Sequence, residues 1–308
     1  MNNPIYFYDT IGVSYRIEIP QEELETWDKK NRGETYERQY VFADNESLYA
    51  SYHPYSYGSD PRPMLSIYLS LPKIIFGCNH KMLNNNYFQG AIYKANNLIK
   101  SIPVFSIVEN VENAPLVRFD VANNFIVGEN IDEYLTAAKN SHGYPRRKKH
   151  IYDHGVNFRS KRETVTVYDK IAECGHTEAD GMLRLEVSIK GSSQVSKILG
   201  KSKPTILDVT PDIQNELLRT PLKNLHLNDR VICSQTEMEH RIYGFPGITK
   251  VISRNLLNYV REKMRNPLRD LSEIYSPPTI RKYDKLLERI GISDYLTDSI
   301  ICLEPLKL

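Results

Sequence analysis

The chain has 308 residues, of which 41% are hydrophobic and 25% charged, and its net charge is +2. That length can bury one large core or divide into two or three domains, and the near-neutral balance excludes a general polyanion binder with a basic surface throughout. No run approaches the roughly 18 apolar residues of a membrane span, and Met1-Asn2-Asn3-Pro4 leads into an aromatic strand without the basic and apolar regions of a secretory signal. The expectation is a protein that meets no membrane and stays in the cytoplasm. Cys78, Cys174, Cys233 and Cys302 are scattered with no C-x-x-C spacing. That argues against a structural zinc site and a disulfide framework, and fits a reducing compartment.

In chain order, residues 4–19 alternate as one or two strands, 21–31 read as a short helix, and 35–56 as a strand with an aromatic polar loop. A stronger strand runs from Met64 to Ser70, after which Pro72 interrupts the ladder and Gly77 permits a turn. Tyr87, Ile92, Ala95, Leu98 and Ile99 recur at helical spacing over 86–102, and Pro103 ends that helix. Strands follow at 104–109 and 115–123, then a short helix from Ile131 to Lys139. A hairpin is expected between Gly155–Arg159 and Thr164–Lys170, and a further strand over 182–190. Beyond Gly191 the pattern turns helical, at 193–200, 211–219, 247–265, 267–275 and 278–290, with prolines at helix starts or boundaries. The sequence therefore predicts an α+β protein: an antiparallel sheet unit over 1–190 and a mainly helical region over 191–308.

Three segments carry the chemistry. In an extended strand alternate side chains share a face. Arg118 and Asp120 therefore lie together, as do Thr166, Tyr168 and Lys170, and as do Arg184, Glu186 and Ser188. Laid side by side, such strands place carboxylates, a tyrosine hydroxyl and a lysine on one surface, the inventory for covalent cleavage of a phosphodiester with a metal ion. Arg146, Arg147, Lys148 and Lys149 form a basic run, followed by Arg159, Lys161 and Arg162. A solvated loop accounts for such a run; so does a phosphate-contacting edge, because nucleic-acid binding needs local cations rather than a large net charge.

Arg118-Phe119-Asp120, then Val167, Tyr168, Lys170 and Glu173, then Leu183, Arg184, Glu186, Ile189 and Lys190 together resemble the rolling-circle replication initiators of filamentous phages, the gene II/X class. More distantly they resemble the initiators of staphylococcal-type plasmids. Upstream, Ser70-Leu71-Pro72-Lys73 and Gly77-Cys78-Asn79 are similar to the S-P-x-K and G-x-N run of the phage proteins, with Cys78 where a histidine is found there. Ile252–Arg265 and Thr279–Ile292 look like their paired C-terminal helices. The resemblance spans roughly residues 65–295 and implies that Tyr168 cuts one strand of duplex origin DNA.

A phenol is a weak nucleophile at neutral pH because its reference pKa is about 10. The site would need Lys170 to favour the phenolate or neutralise phosphate, and a hard divalent ion, Mg²⁺ or Mn²⁺, to polarise a phosphate oxygen. These initiators are related to, or analogous with, a larger class that binds metal through a His-hydrophobic-His pair; none of the eight histidines here forms an H-x-H pair, so Asp120 and Glu186 are the leading candidate ligands, with Glu173 a third candidate. Lys73, Arg118 and Arg184 join the basic run as candidate DNA contacts. The implied partners are supercoiled origin DNA, single-stranded at the nick, with a host helicase and polymerase possible. Ordinary cross-strand ion pairs are the competing account of Arg118-Asp120 and Arg184-Glu186, and a sheet tyrosine is ordinarily a packing residue.

Overall fold

The structure is a computed structural model that describes residues 8–30, 35–42, 46–54, 63–141, 143–228, 231–265, 271–297 and 303–308. The expected strand start at 4–7, the end of the aromatic loop at 55–56 and the helix start at 267–270 lie outside the described residues. In chain order come strand β1 (Tyr8–Tyr15), helix α1 (Gln21–Leu24) and strands β2 (Asp28–Lys30), β3 (Thr35–Val41), β4 (Ser47–His53) and β5 (Met64–Ser70). Helices α2 (Leu71–Phe76) and α3 (Asn85–Lys100), strand β6 (Leu116–Ile126), helix α4 (Ile131–Asn140) and strands β7 (Lys148–Tyr152), β8 (Gly155–Arg159) and β9 (Glu163–Asp169) follow. Helix α5 (Lys170–Cys174), strand β10 (Met182–Lys190), helices α6 (Ser192–Leu199) and α7 (Pro211–Asn224) and strand β11 (Val231–Ser234) come next. Helices α8 (Gln235–Gly244), α9 (Lys250–Arg265) and α10 (Pro277–Ile290) lead to strand β12 (Ile292–Thr297). Ten strands make one sheet in the order β2-β3-β4-β5-β1-β6-β10-β9-β8-β7, and β11 pairs with β12 in parallel. The protein is α+β.

The chain packs into two compact units, Met1–Asn124 with Ser160–Val165 and Glu186–Leu218, and Phe125–Arg159 with Thr166–Leu185 and Arg219–Leu308. In the first unit the register explains the two faces of the sheet. Gly12 sits opposite Tyr68 and Arg118, Ser14 opposite Ser66, Ser66 opposite Ser51, and Tyr68 opposite Tyr49. Directly opposed residues share a face, so these make a polar, aromatic surface. The alternate residues Ile11, Val13, Leu65, Ile67, Leu69 and Phe119 are buried. Helix α3 belongs to this core: Phe88 stacks on Tyr8 with ring centroids 5.2 Å apart.

Several expectations change in this unit: the helix expected over 21–31 is α1 followed by strand β2, and the strand expected over 35–56 is the antiparallel pair β3 and β4. Pro72 does interrupt the ladder, but by opening α2, where a missing N–H costs nothing. Ser70 caps that helix by accepting from the Lys73 amide at 3.5 Å, and Gly77, at φ 69°, ends it. Residues 104–109 are not a strand. Pro103 starts a 3-10 turn to Phe105, whose buried ring meets Trp27 and Tyr40 edge-on.

In the second unit α8, α9 and α10 close around Met238, Ile242, Leu257, Tyr259, Val260 and Leu287. Tyr259 donates to Asp284 at 2.7 Å, and Lys263 reaches the same carboxylate at 2.9 Å. Sequence periodicity missed α8. The basic run is a strand from Lys148 onward, because β7 pairs with β8 in a hairpin that places Tyr152 opposite Gly155 around Asp153-His154.

Candidate active site

On β6 of the first unit, Arg118 and Asp120 do share a face. The Arg118 guanidinium grips the carboxylate with both ends, Nε donating to Oδ1 at 3.0 Å and Nη2 to Oδ2 at 2.5 Å. Asp120 is 1% exposed, whereas the arginine side chain is 31% exposed. Burial raises the Asp120 pKa; the Arg118 hydrogen bonds and charge oppose that, the nearby Asp9 charge adds to it, and a Ser188 hydrogen bond works against it, leaving the pKa above the ordinary value. For Arg118, burial works against the charge, but Asp120 and then Glu186 more than compensate, and its pKa rises.

Asp9 is the residue that sequence reading missed. It is buried on β1, accepts a long bond from the Ser70 hydroxyl at 3.4 Å, and sits at an irregularity in the β1–β6 register between Tyr8 and Ile11. That irregularity breaks the parity by which a sequence reader assigns faces. Glu186 and Ser188 share a face as expected, their side-chain oxygens 3.5 Å apart.

In the second unit Tyr168 stands near the end of β9 and is 8% exposed. Lys170 is not on the same strand face: Asp169 ends the strand, accepts from the Ile171 amide at 3.0 Å as an N-cap, and makes Lys170 the first residue of α5. The turn of the helix still returns the lysine to the tyrosine. Its ammonium lies 5.5 Å from the centroid of the Tyr168 ring and pairs with the exposed Glu173 carboxylate, with Lys170 itself fully buried. Glu173 is therefore an ion-pair partner of Lys170.

Among the DNA-contact candidates, Arg146, Lys148 and Arg159 are exposed in the second unit, and Lys161 and Arg162 in the first. Lys73 is half-buried on α2. Arg147 lies over the Tyr144 ring at 4.3 Å, and half-buried Lys149 donates to the Ser141 carbonyl at 3.0 Å, with burial holding its pKa down to about 8. Arg184 corrects the expectation outright. It is 0% exposed because β10 is buried along almost its whole length, so its guanidinium is a core group and faces no solvent-borne phosphate. Tyr259 and Tyr283 pack in the helical core, whereas Tyr243 is exposed.

The donor chemistry of Asp9, Asp120 and Glu186 suits a hard divalent ion. The arrangement does not: both Asp120 oxygens are held by Arg118, Glu173 is engaged by Lys170, and among the described residues no group of three or more His, Cys, Asp or Glu side chains is set to hold a metal. The residues present do not form a metal site in this arrangement.

No protein-family model matches the chain, and no curated protein matches it. Among solved structures it is similar to the rolling circle replication initiator protein from Geobacillus stearothermophilus, at 12% identity over 62% of this chain and 76% of that one, with a TM-score of 0.28. At that TM-score the likeness carries no weight for activity or substrate. Among the described residues no helix is long and apolar enough to cross a membrane.

Proposed function

We propose that the protein is a replication initiator that nicks and rejoins one strand of origin DNA during rolling-circle replication of a phage or plasmid, with Tyr168 as nucleophile. The observation that carries this reading is the lysine over the tyrosine: a fully buried ammonium 5.5 Å from the Tyr168 ring centroid. A cation at that position can neutralise the charge that builds on a phosphate as the tyrosine oxygen attacks it.

The reaction follows from those groups. The Tyr168 oxygen, having lost its proton, attacks phosphorus; the bond to the 3′ oxygen breaks, and that oxygen leaves with the electron pair and takes up a proton. The products are a 5′-phosphotyrosyl link and a 3′-hydroxyl. Because the new ester keeps the energy of the old one, attack by a 3′-hydroxyl reverses the step and seals the strand. Because the described residues hold no ready ligand set for Mg²⁺ or Mn²⁺, nicking measured with and without the ion tests whether it is needed. Supercoiled origin DNA is the proposed substrate, with host helicase and polymerase as later partners.

A second reading, a non-catalytic DNA-binding or copy-control protein of the same fold, is favoured by the 8% exposure of Tyr168. One assay separates them: supercoiled origin DNA incubated with wild type and Tyr168→Phe in Mg²⁺ or Mn²⁺. The nicking reading expects open-circular product and a protein–DNA adduct that survives denaturation with wild type alone. Nicking by the Phe variant, or no adduct with wild type, refutes it.

A further inference from the structure

The first unit carries a cleft of about 1350 Å³ over the polar face of its sheet, and the groove reaches Arg118. It is larger than the roughly 300–1,000 Å³ that encloses a drug-sized molecule, so its occupant is a polymer segment rather than a single small ligand. Arg16, Arg118, Lys190 and Lys203 line it against Glu37 and Glu109, four cations to two anions, and His53, whose pKa burial lowers, is also in the lining. Serine hydroxyls from several strands complete the polar lining.

Two tyrosines form its floor. Tyr49 and Tyr68 are opposed on β4 and β5, with ring centroids 5.9 Å apart and planes inclined at 40°. Tyr68 lies directly on the backbone of Gly12: a Cβ at that glycine would stand 2.6 Å from the ring, and the Arg118 Cβ would be 3.0 Å from it. The missing side chain at Gly12 is thus what lets the ring settle onto the sheet beside Arg118. Next to this aromatic floor, Asp120 grips Arg118 from below while the arginine side chain keeps 31% exposure.

We propose that this groove binds a single-stranded DNA segment, with bases stacked on Tyr68 and Tyr49 and a phosphate held by Arg118, and that Asp120 is a positioning residue for that arginine. The chemistry fits one class of occupant. Aromatic floors stack on any base, flanking cations follow the backbone, and serine hydroxyls serve phosphate or sugar. An acidic peptide would use the cations and leave the tyrosines idle. The assignment builds on the nicking reading by naming where its substrate strand is held, yet it makes no use of Tyr168.

The test uses the full chain and a fluorescent twelve-nucleotide oligothymidylate in an anisotropy titration. Tyr68→Leu keeps an apolar side chain on Gly12 and removes the stacking surface; it is expected to weaken binding about tenfold or more, whereas Tyr68→Phe binds like wild type. Asp120→Asn is expected to weaken binding and to reduce its salt dependence by about one unit of slope, the signature of one lost phosphate contact. A measurement on the unaltered protein stands beside these. An oligonucleotide carrying 5-iododeoxyuridine is expected to photo-crosslink to a peptide containing Tyr49 or Tyr68. Crosslinks confined to other peptides, wild-type affinity in Tyr68→Leu, or equal displacement by poly-glutamate of the same charge would each overturn the proposal. Binding without adduct formation would instead sink the nicking reading and leave the groove standing, and adduct formation with unaltered binding in the groove variants would do the reverse.

Discussion

The two centres differ in how they handle buried charge. On β6 a carboxylate is inside and its arginine partner is at the surface; at the β9–α5 junction a lysine is inside and its glutamate partner is at the surface. The first arrangement holds a cation out toward solvent, as an anion-binding surface needs. The second sets a cation over a tyrosine ring, where the proposed reaction would meet the phosphate. Neither is an economical way to stabilise a sheet, since a buried ion pair gains little over packed apolar side chains. On the proposed reading, the first centre serves binding and the second chemistry.

Removing the buried cation should produce the largest effect. Lys170→Met fills the same space and is expected to lower the nicking rate about 10²–10³-fold, the scale of one lost electrostatic contact in a reaction, while the melting temperature changes little. A rate within about threefold of wild type would make Lys170 a packing residue and remove the contrast.

The β6 centre is expected to respond in stability. Arg118→Ala strips the fork from a carboxylate that is 1% exposed, and leaving such a charge uncompensated costs about 3 kcal/mol. Asp120→Asn keeps an acceptor and should cost less. Urea unfolding of both variants gives the order; a smaller loss for Arg118→Ala would mean that the aspartate does not depend on it.

Gly12→Ala sharpens the binding side. The added methyl meets the Tyr68 ring at 2.6 Å, so the ring must lift, at about 1–2 kcal/mol of stability by the usual scale of overpacking. An unchanged melting temperature would show that the ring does not lie on the glycine.

The sequence made much of the β6 centre legible. Strand parity alone put Arg118 beside Asp120 and Glu186 beside Ser188, because side chains two apart on a strand must share a face. Asp9 was hidden by a register irregularity that parity does not register. Lys170 was assigned to the right neighbour by the wrong geometry: Asp169 was read as a strand residue, although an aspartate ahead of Lys170-Ile171-Ala172 is also a helix cap. Arg184 was misjudged because polarity suggests exposure, while burial depends on what packs on the strand. The basic run concealed β7 for the same reason, since charged residues mask the alternation that marks a strand.

Lys149, on that strand, gives the smallest expected effect. Burial lowers its pKa to about 8, whereas the unfolded chain keeps the ordinary 10.5. Between those values the unfolded state binds more protons, so this residue's contribution makes stability rise with pH across the window, and its burial penalty is fully present below about pH 8. Urea midpoints at pH 7.5 and 9.5 should rise less in Lys149→Met than in wild type. An equal rise would place the ammonium in solvent.

The central claim is that Tyr168 forms the covalent bond to DNA, and peptide mapping of the adduct tests it most directly. Trypsin should release Glu163–Lys170, in which Tyr168 is the one tyrosine. After nuclease trimming, mass spectrometry is expected to find a 5′-phosphodeoxynucleotide on that peptide. A nucleotide on any other tyrosine, or no modified peptide from wild-type protein incubated with origin DNA, would contradict the account.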